Sequence, residues 1–333
     1  MAIDTPKAPV LIITDGKSGD QAPCLALSEA LHWQAICHQI SPFAPYSVLA
    51  PWGPASPQDT SNLRRHIDAL LAEATQPIRI IATGRRAVPS ARWLKKIYGD
   101  QVFLVFLRNP RTSLAFADAV WAPSHDQLTG PCVFSTPLGP HRFSQNCLTD
   151  ERKRDTFHLA TLGPPRIAVL VGGQARRHRF TSADRVRFLE ALQKLAATPA
   201  SLMITTSRRT PAVLVERLQD HFGQSTQHRL WTGEGDNPLA AFLAWADGVV
   251  ATTDSINMVG EAAATGRALS LFHPSGGHPK FDRFLQELEK RAVLHNFTGQ
   301  LAVDPYPPVD DTSLIADFVE SRLQAHVHKL ATR

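Results

Sequence analysis

One pattern occurs twice in this chain, and it restricts the fold more than any single motif does. Arg79-Ile80-Ile81-Ala82-Thr83-Gly84-Arg85-Arg86 and Leu202-Met203-Ile204-Thr205-Thr206-Ser207-Arg208-Arg209 each read as an apolar strand, a small residue and two arginines, before a proline and a helical run. A second pair follows at nearly the same offset: Leu114 to Ala122 and Leu243 to Ala251, each a short helix, an Asp-small turn and a strand. A third, weaker pair opens each half. Val10-Leu11-Ile12-Ile13 runs into Asp15-Gly16-Lys17-Ser18-Gly19, and Ile167 to Val171 runs into Gly172-Gly173. Buried strands resemble one another through shared Val, Ile, Leu and Ala. Three matches in one order, with a repeated arginine pair, point beyond that to two α/β domains of similar build. Strands alternating with helices predict parallel sheets joined by right-handed crossovers. The length, 333 residues, also favours two cores over one. The charged, proline-containing stretch from Thr149 to Pro165 marks the joint, giving domains over 1–155 and 156–310. Leu314, Ile315, Phe318, Val319 and Leu323 then follow helical spacing after Asp310-Asp311-Thr312. This last helix, within 311–333, packs back on the first domain or stays with the second.

Composition excludes some classes. Hydrophobic residues make up 43% and charged ones 20%, as in soluble globular proteins. The most apolar stretch, Leu239 to Ala251, contains Asp247 and is too short to span a bilayer. Val10 to Ile13 follows Asp4 and two prolines and reads as a first strand, not a signal peptide, so a cytoplasmic and at most membrane-peripheral location is expected. Cys24, Cys37, Cys132 and Cys147 form no paired spacing, so buried free thiols are expected and neither zinc nor disulfides are indicated. The prolines gather in loops, above all 42–57. A formal charge of +5 favours an anionic partner, either a nucleotide, a phospholipid surface or a nucleic acid. Aromatic residues do not interleave with the basic groups, which disfavours nucleic acid.

Ligands of open parallel sheets bind beyond the carboxyl ends of the strands. In the second half those loops are Gly172-Gly173-Gln174, Ser207-Arg208-Arg209, Thr252 to Asn257 and His273 to His278. They combine close backbone approach, guanidinium groups, a helix N-terminus and a glycine-rich turn, a combination suited to a diphosphate. Thr252-Thr253-Asp254-Ser255-Ile256-Asn257 sits between an apolar strand and a helix, with Glu261 about one turn further in, placed to accept hydrogen bonds from a ribose. The same segment is also a well-capped helix start with Ser255 or Asp254 as N-cap. Arg176-Arg177-His178-Arg179 is either a solvated basic turn before a helix capped by Thr181 or Ser182, or a contact for a phosphate or membrane surface. In the first half, Asp15-Gly16-Lys17-Ser18-Gly19-Asp20-Gln21 lacks both the dinucleotide glycine spacing and the P-loop ending. Asp15 and Asp20 are candidates for a general base acting on an acceptor hydroxyl, or turn residues bonded to the local backbone. Gly16 and Lys17 would line the same turn, and no Asp/His set calls for a metal.

The opening Asp15 to Gln21 turn, Thr83-Gly84-Arg85, Gly172-Gly173, Ser207 to Pro211 and above all Thr253 to Glu261 resemble the mitochondrial fission ELM family, over about residues 10–290. The chain looks like a bacterial member. The family's plant branch is implicated in recruiting a dynamin-type protein to the outer mitochondrial surface. The same segments resemble the GT-B architecture of glycosyltransferases and UDP-sugar 2-epimerases. That resemblance implies an α/β protein of two Rossmann-like domains whose parallel sheets face each other across a cleft, the first on the acceptor side and the second on the nucleotide-sugar side. It implies that Glu261 takes the ribose hydroxyls, that Ser255, Ile256 and Asn257 supply backbone groups to the diphosphate, and that Gly172, Gly173, Ser207 and Arg208 line the donor site, with Asp254 also among the ligand-binding residues. The epimerases' catalytic set has no clear counterpart. The function so implied is a nucleotide-sugar-binding glycosyltransferase using a UDP- or GDP-sugar donor and no cofactor. A non-catalytic, membrane-peripheral adaptor is the alternative. Base, sugar, acceptor and oligomeric state stay open.

Overall fold

The computed structural model describes residues 9–175 and 178–332. Arg176 and Arg177 of the basic turn lie outside the described residues. The chain divides into two compact units, one ending at Arg142 and resuming at Asp311, the other running from Phe143 to Asp310.

The first unit is built on six parallel strands: β1 (Pro9–Thr14), β2 (Gln34–Gln39), β3 (Ile78–Thr83), β4 (Val102–Leu107), β5 (Ala119–Pro123) and β6 (Val133–Thr136), in spatial order β2-β1-β3-β4-β5-β6. The helices are α1 (Ser18–Ala30), α2 (Tyr46–Leu49), α3 (Pro57–Glu73) and α4 (Val88–Tyr98). Central strands carry unbroken apolar runs because both of their faces are covered. Leu11, Ile13, Ile80 and Leu104 pack with Leu63 and Ile67 of α3 and Leu94 of α4. Val10, Ile12, Ile81, Phe103 and Val105, pointing the other way, pack with Leu27 of α1. The edge strand β2 is wetter, so Cys37 is exposed; Cys147, in the helix at 145–154, is half-buried, against the expectation of four buried thiols, and Cys24 and Cys132 are buried.

The second unit begins with α5 (Gln145–Arg154), so the boundary falls earlier in the chain than residue 155. Its strands are β7 (Arg166–Val171), β8 (His178–Arg179), β9 (Ser201–Thr206), β10 (Arg229–Trp231), β11 (Gly248–Thr252), β12 (Ala268–Phe272), β13 (Ser275–Gly276) and β14 (Leu294–Asn296). Its remaining helices are α6 (Ser182–Ala196), α7 (Ala212–Phe222), α8 (Leu239–Trp245), α9 (Ile256–Ala263) and α10 (Pro279–Glu289). The main sheet is parallel in the order β10-β9-β7-β11-β12-β14, the doubly wound order in which the first strand lies centrally. The repeated sequence patterns are therefore locally alike without being topologically equivalent. β3 lies between β1 and β4, whereas β9 lies between β10 and β7. What the Asp-small turns share is a backbone clip. Asp118 accepts from the Leu104 amide and donates its own amide to the Leu104 carbonyl, and Asp247 does the same with Arg166.

The chain ends in α11 (Thr312–Ala331), which belongs to the first unit. Ile315, Val319 and Leu323 cover the Ile12, Ile81 and Phe103 face of the sheet, while Leu314 is exposed. Burial of each such side chain is worth about 1.5–3 kcal/mol, enough to bring the chain back across the intervening unit. Polar contacts fix its register. The buried Asp311 accepts from the Leu138 amide, Arg322 donates to the Asp118 carbonyl, and His326 meets Asp118 at 3.4 Å and the Asp100 carbonyl at 2.9 Å. The hydrogen bond to Asp118 raises the His326 pKa against the opposing effect of burial. Burial pushes the Asp118 carboxyl up, but bonds from His326, Lys95 and the Leu104 amide outweigh it and hold the group below the ordinary aspartate value. A raised histidine stabilises the fold fully below its unfolded value of about 6.5 and loses that contribution as pH rises through the folded value. The melting temperature is expected to fall between about pH 6 and about pH 8 by more in the parent protein than in His326→Gln, as followed by thermal denaturation across pH.

Candidate functional site

In the second unit the strand order reverses between β7 and β11, where doubly wound sheets leave a crevice beyond their carboxyl ends. The loops after these two strands carry Gly172-Gly173 and Thr252 to Ser255, and one buried carboxylate joins them. Asp254 has a fully buried side chain. It accepts the Gly173 amide at 3.0 Å and the Thr252 hydroxyl at 2.7 Å, and it pairs with Arg209 at 3.0 Å. Thr252 Oγ1 in turn accepts the Gly172 amide at 2.8 Å. Both glycines are needed for this contact. A Cβ on Gly172 would lie 2.0 Å from Asp254 Oδ1, and one on Gly173 would lie 1.9 Å from the Arg209 carbonyl oxygen. The glycines permit close approach of the protein to itself, and their amides are engaged within the loops.

The loop after β9 is held by the same cluster. Thr210 is buried and donates toward the Val171 and Gly172 carbonyls, and its Oγ1 accepts the Ser207 amide at 2.9 Å. Ser207 stands half-buried with its hydroxyl accepting the Arg209 amide. Both arginines of the pair are exposed, and Arg209 reaches Asp254. Arg209, Thr210 and Thr252 were thus less prominent in the sequence than their neighbours. The available signal for Arg209 was the buried acid two strands away, which has to be neutralised by a cation.

Ser255 is the N-cap of α9, its hydroxyl accepting the Met258 amide at 3.4 Å, so Asp254 is freed from capping for its role between the loops. The amides of Ile256 and Asn257 begin the helix and donate to no group among the described residues, as expected of first-turn N–H groups. Ile256 and Ser255 are half-buried and Asn257 is exposed. Glu261, one turn further along α9, is half-buried and receives no hydrogen bond or ion pair among the described residues. Burial alone pushes its pKa up to about 7.

The loops after β7 and β12 are laced together. β8 pairs with β13, and Asp184 of α6 accepts both the amide and the hydroxyl of Ser275 at 3.0 Å. Asp184 also closes a capping box with Thr181, the N-cap of α6. Burial pushes the Asp184 carboxyl up, but bonds from Thr181, Ser275 and Arg187 outweigh it and hold it well below the ordinary carboxylate range.

In the first unit the order reverses between β1 and β3. The Asp15 side chain is buried and paired with Lys17, with Arg86 at 3.8 Å, and its Oδ1 is enclosed. Gly16 adopts φ +79°, its amide donating to Thr14 Oγ1, and a Cβ there would press on Gln39 at 2.7 Å. Asp20 pairs with Arg108 at 2.9 Å. Arg108, itself in the left-handed region at φ +81°, also donates to the Gly19 carbonyl, a contact with no forewarning in the sequence. Arg85 is committed elsewhere, to the carbonyls of Ser47, Val48 and Ala50. In each unit, then, the second arginine of the repeated pair meets an acid from another strand's loop: Arg86 with Asp15 after the adjacent strand β1, Arg209 with Asp254 after β11, two strands away. Among the described residues no three His, Cys, Asp or Glu side chains converge as a metal site, and no helix is long and apolar enough to cross a membrane.

Gly172→Ala is expected to lose about 1–3 kcal/mol of stability by overpacking against Asp254. Asp254→Ala should lose about 1–3 kcal/mol, since it leaves the buried Gly173 amide and Thr252 hydroxyl without their acceptor. The double variant should cost less than the two losses added together, because the clash needs both side chains. Urea denaturation of the four proteins measures this coupling.

Comparison with known proteins follows the same lines. A solved UDP-GlcNAc 2-epimerase from Methanocaldococcus jannaschii superposes with a TM-score of 0.53 at 11% identity, covering 95% of this chain and 99% of that one. The fold is accordingly of the GT-B type, with two parallel six-stranded sheets flanked by helices. The mitochondrial fission protein ELM1 of Arabidopsis thaliana is 26% identical over 281 residues, which is 76% of this chain and 65% of that protein. The chain thus spans about two thirds of that relative's length, by a narrow margin less. An uncharacterized protein of Rickettsia prowazekii is 24% identical over 302 residues, 79% of this chain and 84% of the other. The family model for mitochondrial fission ELM1 matches residues 18–323, and with that extent of match the chain belongs to the mitochondrial fission ELM1 family.

Proposed function

We propose that the second unit binds a nucleotide-sugar at the reversal point of its sheet, and that the protein is a glycosyltransferase of the GT-B type. The observation that carries this reading is Glu261: a carboxylate with no hydrogen bond or ion pair among the described residues, on a helix whose first amides likewise donate to no described group, beside loops held by Asp254. The amides of Ser255, Ile256 and Asn257 and the positive end of α9 suit a diphosphate. A carboxylate one turn into that helix suits two vicinal ribose hydroxyls, which donate best to the ionised form. Asp254, Gly172 and Gly173 serve by holding the loops in place, with Ser207 and Arg208 at the rim. The fold relative from Methanocaldococcus jannaschii acts on a UDP-sugar, which supports this ligand class. In transfer, the helix terminus would stabilise the departing diphosphate. Acceptor activation falls to Asp20 or Asp15, the acids of the first unit's reversal point, with Lys17 and Gly16 shaping that turn. Asp20 is the more accessible of the two, since one Asp15 oxygen is enclosed and the other is paired.

Family membership supports a second reading, in which the fold is kept as an adaptor without chemistry. Titration calorimetry with UDP, GDP and their sugars separates the two. Saturable binding is expected for one base, and its absence for all of them removes the leading reading.

Glu261 also gives a signature in pH. Its folded pKa, about 7, lies above the ordinary glutamate value of 4.5, so the fold is favoured while the group is protonated and loses stability as pH rises through about 7. Glu261→Gln should therefore stabilise the ligand-free protein at pH 8 by about 1–2 kcal/mol after allowance for its partial exposure. The same substitution should weaken nucleotide affinity by about tenfold and abolish its rise between about pH 6 and about pH 8. Unchanged affinity would take Glu261 out of the site.

A further inference from the structure

From Ala30 to Gln58 the chain contains no Asp, Glu, Lys or Arg. Within this run, in the first unit, α2 and its flanks form a compact turn. The amides of Ser47, Val48, Leu49, Ala50, Trp52 and Gly53 all bond to carbonyls between Phe43 and Leu49. The turn closes its own backbone and turns its large apolar side chains outward. Phe43 is 52% exposed, Val48 69%, Leu49 49% and Trp52 68%. These are among the largest exposures of any big apolar side chains in the described chain, and they come from ten consecutive positions. Scattered exposed apolar residues need no explanation, but a contiguous set on one rigid turn does.

What lies beneath the turn is basic. Arg85 donates to the carbonyls of Ser47, Val48 and Ala50, and Arg92 donates to those of Pro51 and Trp52 at 3.3 and 3.0 Å. Both guanidinium groups pin the turn, and both residues are exposed. The first acid after the run, Asp59, is buried and accepts the Ser41 amide at 3.1 Å.

We infer that this turn is a membrane-docking wedge, in which Phe43, Val48, Leu49 and Trp52 enter the interfacial layer of an anionic bilayer while Arg85 and Arg92 sit at the level of the lipid phosphates. Three features favour lipid. Phe, Trp and the neighbouring Tyr46 are residues suited to the interface between headgroups and acyl chains. A short knob with no charged side chain of its own can enter that layer at low cost, because its backbone groups are already bonded within the turn. The charges around it are cations, complementary to an anionic leaflet. Two copies joined face to face would instead bring both Arg85 and both Arg92 groups together, which opposes a symmetric dimer. The wedge stands independently of nucleotide binding, since it uses no residue of the second unit.

Co-sedimentation of the full-length protein with vesicles tests this. Vesicles of phosphatidylcholine alone are compared with vesicles containing phosphatidylglycerol, at low and moderate salt. The parent protein is expected to bind the anionic vesicles, with a loss at moderate salt. Leu49→Ser with Trp52→Ser, and separately Val48→Glu, should each lower binding by about tenfold or more. All three side chains are exposed, so melting temperatures should stay at the parent value and verify folding. Vesicles carrying brominated lipid should quench Trp52 fluorescence, with the quenching lost in Trp52→Phe. Binding that survives both apolar variants, or no binding by the parent protein, would overturn the wedge. A parent protein that elutes as a dimer, with monomeric variants and no vesicle binding, would overturn it in favour of a second copy.

Discussion

A single buried carboxylate organises the edge of the second sheet. Asp254 takes the Gly173 amide, the Thr252 hydroxyl and the Arg209 guanidinium, and so joins the loops after three different strands. A charge without solvent must be fully met by hydrogen bonds and an opposite charge, and here the groups that meet it come from β7, β9 and β11 in turn. Loops that would otherwise move independently are thereby set against the start of α9. Among the described residues, the first amides of that helix donate to no group, and Glu261 beside them has no hydrogen bond or ion pair. The rigidity of the one acid is what makes the openness of the other useful, since a binding group has to be held in place by neighbours that are themselves fixed.

The two units meet a common demand by different routes. A parallel sheet must be covered on both faces, because its strands are apolar on both. In the second unit the residues between Phe143 and Asp310 provide that cover from one continuous stretch. The first unit is completed by α11, which arrives after the whole second unit has been made, and its Ile315, Val319 and Leu323 fill the face that α1 leaves partly open. Asp118 anchors both the strand and the returning helix, through Leu104, Lys95 and His326. The Asp-small turn therefore recurs in both halves as a means of docking a strand to its neighbour, and the recurrence needs no functional explanation.

Much of the architecture could be read from the chain. Val10 to Ile13, Ile167 to Val171 and Val249 to Ala251 announced buried strands because parallel sheets leave no polar face. The caps at Thr181 and Ser255 were visible because capping depends on residues a few positions apart. Contacts between loops of different strands were not visible in the same way. Arg208 and Arg209 are adjacent and chemically identical, and only the position of Asp254 after β11 selects the second. Gly172 and Gly173 looked like an approach for a ligand, and the chain itself occupies that space through Asp254 and the Arg209 backbone. Arg85 stood out as one of a repeated arginine pair, and the carbonyls of a turn far back in the sequence hold it.

What the amino-acid order determined by itself was local: which segments are strands or helices, where they begin, and that parallel sheets in two units would follow. Those properties depend on periodicity and on neighbours within a turn or two. The tertiary structure decided the order of the strands, and with it which loops share the reversal point of each sheet. It also decided which acids meet a cation, as Asp254 and Asp20 do, and which, among the described residues, meets none, as with Glu261. The physical reason is that ion pairing and desolvation depend on distance and surroundings in space, and residues 45 positions apart in the chain have no relation until the sheet brings them together.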